Sequence, residues 1–421
     1  MRSKSRELIV IQSAYTYETL RKQGLLDFAT SKNLNGYFAR VITVHPAATL
    51  EHEINDRNRY GKLLVIQHSE SFLFIEAKVG RFWHLRKFPI INFIISQIEL
   101  ILHLIRFSFC KSDLLIRGED PRYNGALAFI LSRLNGLPLI LGTWGNPDRI
   151  RKFLGKPLLP RIFGNVKLEE SCERFLLKRA DYVFVQNQDN WDYAVNYGAD
   201  EKNIRLFRLG NAIHQSHFLA PEHRNFESRL FPLIAHQGFK ICTISRLEKL
   251  KLVDHALKSF SLMKSASKSH LYIFGDGSEK GKLLELARDL GIEDRVHLLG
   301  NVNQDVLAQL LPKMDLVLAP LIGRALTEVA LAARAIVAYN VDCHPEIVKH
   351  KITGILVKYE DIIEMASAGD FLLDNFDEAQ VMGSNARRFA LEFMNPEKLI
   401  REQKENYNEI FEHTLWNRLK K

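Results

Sequence analysis

The chain has 421 residues, 46% of them hydrophobic and 25% charged, which allows two or three domains and excludes a disordered chain. Its four cysteines, Cys110, Cys172, Cys242 and Cys343, are scattered and form no C-x-x-C pair, so neither a disulfide framework nor a zinc site is expected. The net charge of +9 is one-sided: residues 1–220 hold 31 Lys and Arg against 21 Asp and Glu, while residues 221–421 hold 27 against 28. A basic first half suits an anionic partner or serves solubility alone; with no recognisable nucleic-acid-binding module, nucleic acid is not that partner.

The N-terminus begins Met-Arg-Ser-Lys-Ser-Arg and runs into Leu8–Ile11, too short for the apolar part of a secretory leader, so a cytoplasmic location is expected. Apolar, β-rich runs then alternate with helical stretches. Strands are predicted at Leu8–Gln12, Val41–Val44, Lys62–Ile66, Leu114–Ile116, Leu139–Gly142 and Tyr182–Gln186, and helices at Tyr123–Asn135, Glu169–Arg179 and Asn190–Tyr197. Such alternation predicts an α/β fold with a parallel sheet covered by helices on both faces.

Phe88–Phe109 is long enough to raise the question of a membrane span. Asn92, Ser96, Glu99, His103 and Arg106 recur at steps of 3 and 4 and form one polar stripe, which an isolated span would not carry at mid-membrane depth. The segment therefore reads as an amphipathic helix, either packed on the first sheet or lying on an acidic bilayer beside Lys78, Arg81, Arg86, Lys87 and Lys111.

Residues 214–238 are polar and without period, and read as a domain connection. The alternation resumes with strands at Lys240–Ile244, Leu271–Phe274, Val296–Leu299, Leu316–Ala319 and Ile336–Tyr339, and helices at Val253–Lys264, Glu279–Leu290, Gln304–Leu311 and Gly323–Arg334. A polar helical tail runs from about Asp377 to Trp416.

Three stretches of this second half carry chemistry. Arg246 and Lys251 stand five residues apart after a strand and could hold the two phosphates of a diphosphate. Gly275-Asp276-Gly277 stands at the end of a strand, where glycine permits close backbone approach or a positive φ. Gly323-Arg324-Ala325-Leu326-Thr327-Glu328 opens a helix, where free amides favour phosphate and Glu328 could accept from ribose hydroxyls. Each alone also fits an ordinary solvated turn.

In order and spacing, ISRLEKLK (244–251), FGDGSEKGKLLELARDLGIEDRVHLLGNV (274–302) and DLVLAPLIGRALTEVALAARAIVAYNVDCHPEIVKHKITGILV (315–357) resemble retaining glycosyltransferases of GT-B architecture, specifically glycosyltransferase family 4, also called glycosyl transferases group 1. Residues 174–213 resemble, more loosely, the close of that family's first domain, with Asn211-Ala212-Ile213 at its usual Asn-Gly-hydrophobic turn. The resemblance implies two Rossmann-like doubly wound domains facing a central cleft. One is an acceptor-side domain of residues 1–220, to which a helix of about 396–421 returns. The other is a donor domain of residues 221–395.

The resemblance also implies roles. Arg246 and Lys251 match the cations that hold the donor diphosphate, and Glu328 matches the glutamate that holds the ribose. Gly300, Asn301 and Val302 lie where the base stacks, and amides around Gly323, Arg324, Ala325 and Leu326 meet the diphosphate. No metal and no cofactor are implied beyond the nucleotide-diphosphate sugar donor. Departures from the family pattern are Pro320 at the first motif glutamate, Leu321-Ile322-Gly323 for Gly-aromatic-Gly, Leu252 for a glycine, and Trp144-Gly145 for His-Gly; His45 and His344 are candidates for the missing histidine contact.

The function so implied is hexosyl transfer with retention to a saccharide or lipid-linked acceptor, in surface polysaccharide or glycoconjugate synthesis. If the amphipathic helix lies on a bilayer, the enzyme is peripheral on the inner face of the membrane. A sugar-nucleotide epimerase of the same architecture and a non-catalytic nucleotide-sugar-binding subunit remain as alternatives.

Overall fold

The computed structural model describes residues 6–22, 25–108, 111, 113–208, 213–224 and 227–419. The chain divides into two compact units, Met1–Leu209 with Glu397–Lys421, and Gly210–Pro396.

In the first unit an eight-stranded sheet is built from β1 (Glu7–Ile11), β2 (Arg40–His45), β3 (Leu64–Ser69), β4 (Phe72–Glu76), β5 (Leu114–Gly118), β6 (Leu139–Thr143), β7 (Tyr182–Val185) and β8 (Ile204–Leu206). The order is β3-β4-β2-β1-β5-β6-β7-β8. The inner strands β1, β5, β6 and β7 are buried almost throughout, because helices cover both faces, and this is why their sequences are unbroken apolar runs. All pairs are parallel except β3–β4, an antiparallel hairpin at the edge. The expected parallel sheet thus carries one antiparallel hairpin at its edge. β4, which lies beside β2, was not foreseen, since a hairpin joined only by Glu70 and Ser71 presents no helical crossover to announce a second strand.

The long helix between β4 and β5, Pro89–Ser108, packs through Leu100 and Leu104, which are fully buried. The start of its polar stripe, Asn92 and Ser96, points inward, Glu99 and His103 are half-buried, and Arg106 is exposed. Asn92 Oδ1 accepts from the Arg81 and Phe82 amides, Ser96 donates to the Lys78 carbonyl, and Glu99 pairs with Arg81 at 2.7 Å. By length and composition alone the helix could cross a membrane. Its fully buried contacts place it on the first sheet instead.

The predicted tail is two helices, Phe376–Phe393 and Pro396–Leu419, separated where Pro396 starts a new helix. The second packs on the first unit. Tyr407 sits edge-on to Phe38 and Phe184 and accepts from the buried guanidinium of Arg117, while Asn408 accepts from Arg6 and Tyr37.

The second unit holds a six-stranded sheet of β9 (Phe239–Ile244), β10 (Ser269–Phe274), β11 (Val296–Gly300), β12 (Leu316–Ala319), β13 (Ala335–Tyr339) and β14 (Ile355–Val357), ordered β11-β10-β9-β12-β13-β14 and wholly parallel. This is the doubly wound order in which successive strands run outward from β9 and then reverse direction at β12. The connecting residues pack on this unit: buried Arg224 donates to the Ala308 and Leu331 carbonyls, and buried His217 meets Gln304 at 2.8 Å. Cys172, Cys242 and Cys343 are free thiols; Cys110 lies outside the described residues, as do Asn211 and Ala212.

Candidate nucleotide-sugar site

In a doubly wound sheet the loops after the two strands flanking the reversal splay apart and leave a crevice at their carboxyl ends. Here those loops follow β9 and β12. The first carries Ser245-Arg246-Leu247, the second Pro320 to Arg324.

The loop after β9 is fastened to its neighbours through backbone. Ser245 and Leu247 donate to the carbonyls of Phe274 and Asp276, Glu279 donates back to Leu247, and Gly275 donates to Gly300 at 2.8 Å. Only glycine permits this closeness: a Cβ on Gly275 would lie 1.8 Å from the Ser245 carbonyl oxygen, and one on Gly277 would lie 2.4 Å from that of Leu247. Gly275 also has a φ of +133°, which L side chains rarely adopt. Gly275→Ala is therefore expected to destabilise the second unit by about 3 kcal/mol and to disturb the Arg246 loop; urea unfolding followed by far-UV circular dichroism would measure it.

Fully buried Leu247 anchors the loop, leaving Arg246 exposed and paired with Glu248 at 2.8 Å. The turn Lys249–Lys251 follows, and Leu252, where the family has glycine, takes a left-handed φ of 53°. Its side chain is buried in the core of the unit, which offsets the backbone cost.

Lys251 points at the β12 loop. Its Nζ lies 3.8 Å from where a Cβ of Gly323 would be, and Gly323 has a φ of 59°. Burial pushes the Lys251 ammonium below its ordinary range, Arg246 pushes the same way, and Asp342 and Glu248 oppose them. Arg246, Lys251 and Gly323 thus lie together. Two cations held near one another with only partial acidic compensation form a place for an anion.

Gly323 and Arg324 lead into the short helix Ala325–Leu331, Arg324 exposed and Leu326 fully buried. Glu328, one turn in, is only 3% exposed, and no hydrogen bond reaches its carboxylate among the described residues. Burial pushes its pKa up, with Arg324 opposing. Gly300 ends β11 with a φ of 70°, followed by exposed Asn301 and half-buried Val302. Gly300 joins the cluster through Gly275.

Pro320, Leu321 and Ile322 are buried, so no carboxylate occupies the first glutamate's place. His344 is buried and its Nδ1 meets the Tyr339 carbonyl at 3.0 Å, a structural role. His45 and Trp144 belong to the first unit; burial pushes His45 down to about 4, so it is neutral at physiological pH. Sequence reasoning quoted Ser245 in its motif but gave it no role; its hydroxyl is shut off from solvent and meets no hydrogen-bond partner among the described residues. It missed Asp342, which acts on Lys251 from the loop after β13.

Residues 226–389 match the family Glycosyl transferases group 1. N-acetyl-alpha-D-glucosaminyl L-malate synthase of Bacillus anthracis is 30% identical over 171 residues, 40% of this chain and 44% of that protein. D-inositol 3-phosphate glycosyltransferase of Corynebacterium kroppenstedtii is 28% identical over 236 residues, 53% of this chain and 52% of that protein. The match thus spans about half or less of these curated relatives. Among solved structures, Anabaena HepE in complex with UDP superposes with a TM-score of 0.70 at 17% identity, covering 96% of this chain and 100% of that one. Sucrose-phosphate synthase of Thermosynechococcus elongatus gives 0.71 at 14% identity, covering 97% and 100%. Residues 226–389 belong to the glycosyl transferases group 1 family, carried on a chain with the GT-B fold.

Proposed function

We propose that the protein is a glycosyltransferase that binds a nucleoside-diphosphate sugar in its second unit and transfers the hexosyl group, with retention and without a metal, to a saccharide or lipid-linked acceptor. The observation that carries this reading is the convergence of Arg246, Lys251 and Gly323 at the carboxyl ends of β9 and β12. As the bond from the anomeric carbon to the diphosphate breaks, its electron pair goes to the diphosphate, and two fixed cations neutralise the charge that develops. The acceptor hydroxyl forms the new bond, and its proton leaves with the nucleoside diphosphate. Glu328 would accept from the ribose hydroxyls, Gly300, Asn301 and Val302 would border the base, and amides from Gly323 to Leu326 would meet the diphosphate.

UDP is the first nucleotide to test, because HepE, which shares the fold, holds UDP. Thermal shift with UDP, GDP, ADP and CMP, each with its common sugars, should show one nucleotide diphosphate stabilising the chain. No shift with any of them would sink the proposal. Pro320 favours a second reading, binding without turnover, which release of free nucleoside diphosphate in the presence of donor and acceptor would exclude.

The acceptor side is proposed to rest on an anionic bilayer. Because Asn92 and Ser96 of the polar stripe face the protein, Ile90, Ile91, Ile94, Ile98 and Leu102 stand at least half exposed in a row, with Phe88 before them. Lys87 and Arg106 are exposed on the same helix or its approach, and Arg86 stacks over Trp83. An apolar row flanked by cations suits the headgroup boundary of an acidic membrane. The chain is expected to co-sediment with phosphatidylglycerol vesicles and not with neutral ones, and Ile94→Asp with Ile98→Asp should abolish it. Equal binding to both, or dimerisation through this face, would count against the membrane.

A further inference from the structure

We propose a divalent transition-metal site on the second unit, formed by His236, His270 and His297 and independent of the nucleotide-sugar site. The sheet register creates it. Tyr272 on β10 stands opposite His297 on β11, and His270 lies two residues before Tyr272 on the same face. His236, from the connection that enters β9, lies over them. One ligand nitrogen from each histidine falls within 4.8 Å of the others. His236 and His297 stack at 3.9 Å between ring centroids, His236 and His270 at 4.6 Å, and His270 Nδ1 meets His297 Nε2 at 2.9 Å.

Three imidazoles gathered without a carboxylate are the donor set of zinc, nickel and copper rather than of magnesium or calcium. Water would complete the coordination of an ion held by three protein ligands. The torsion that turns a histidine ring is broad, so modest rotations aim three nitrogens at one ion, giving up the His270–His297 hydrogen bond. His236 Nδ1 also lies 3.1 Å from the Tyr272 hydroxyl, a contact that holds its ring over the sheet. The position is reachable: all three rings are at least partly open to solvent.

Its place in the fold indicates what it does. His270 and His297 are each the second residue of their strands, whereas Gly275 and Gly300, which join the nucleotide cluster, lie at the opposite ends. Along β10 the separation from His270 to Gly275 is five residues of extended chain, roughly 16 Å. A metal here touches no donor; it ties the connection ahead of β9 to β10 and to the edge strand β11. Metal that binds only the folded chain stabilises it by mass action.

The test uses the full-length chain without an affinity tag, stripped with EDTA and desalted. Zinc chloride is titrated by calorimetry and thermal denaturation, with magnesium chloride as control. One saturable equivalent of zinc per chain, a higher melting midpoint with zinc and none with magnesium are expected. His236→Ala should lose the zinc response, as should His297→Ala, both with UDP affinity unchanged. No saturable zinc binding, or a zinc response that persists in both variants, would overturn the proposal.

Discussion

Glu328→Gln is expected to make the unliganded protein more stable at neutral pH and to weaken nucleotide binding. The native carboxylate is 3% exposed, with no hydrogen bond among the described residues, and burial raises its pKa above the ordinary 4.5. The folded chain therefore holds this proton more tightly than the unfolded chain does. Unfolding releases it, so stability falls as pH rises from about 4.5 through the folded pKa. Below that window both states are protonated and the penalty is absent. Glutamine keeps the shape, removes the titration and relieves a cost of about 1–3 kcal/mol, or about 2–4 °C of melting midpoint per kcal/mol in a unit of this size. The advantage should be present at pH 7 and vanish near pH 4. The same substitution replaces the charged acceptor proposed for the ribose hydroxyls, and nucleotide affinity should fall about 10- to 100-fold. A carboxylate kept only for folding would give the reverse: lower stability and unaltered affinity. Melting curves across pH, with and without UDP, separate the two.

What the sequence disclosed, and what it withheld, follows from the range of the interactions involved. The strands of the second unit were legible because parallel strands covered on both faces are unbroken apolar runs such as Lys240–Ile244 and Leu271–Phe274. Three-residue β14 and β8 fall below the length at which such a run stands out. The polar stripe of Pro89–Ser108 was legible from its period, yet periodicity states only that two faces differ. Which face is inward is decided by the backbone groups of Lys78, Arg81 and Phe82 that Asn92 and Ser96 satisfy.

The site divides in the same way. Arg246, Lys251, Gly323 and Glu328 were named from motif spacing, and the structure brings the first three together. Close approach at Gly275 was among the readings of the sequence, but the group that approaches could not be named, because it is the carbonyl of Ser245, which only the pairing of β9 with β10 brings beneath it. The histidine cluster was invisible for a related cause. His236, His270 and His297 are far apart in the chain and meet only through the register of β10 with β11.

Loss of the two cations should have the largest effect on binding. Arg246 is 71% exposed in its side chain and, among the described residues, pairs with a half-exposed Glu248, a contact of little consequence for stability. Arg246→Ala should therefore melt as the native chain does. A diphosphate must draw Arg246 away from Glu248 and gains charge-assisted hydrogen bonds of about 1.5–3 kcal/mol, so its loss should weaken UDP binding about 10- to 100-fold. Lys251 differs because it is partly buried and its pKa is lowered, first by burial and then by Arg246. The unfolded chain holds that proton more tightly, so stability rises with pH through the window between the folded and unfolded values. Lys251→Met should then leave the unliganded protein at least as stable at neutral pH while removing the second cation. Because both cations serve one diphosphate, their effects should not add, and a double-mutant cycle should show coupling. pH supplies an independent sign. UDP binding should weaken as Lys251 loses its proton, and in Arg246→Ala that alkaline limb should move to higher pH, since one of the charges holding the Lys251 pKa down is gone. Calorimetric titration of UDP across pH reads both effects. An alkaline limb that stays in place, or affinities unmoved by either substitution, would remove Arg246 and Lys251 from the donor site.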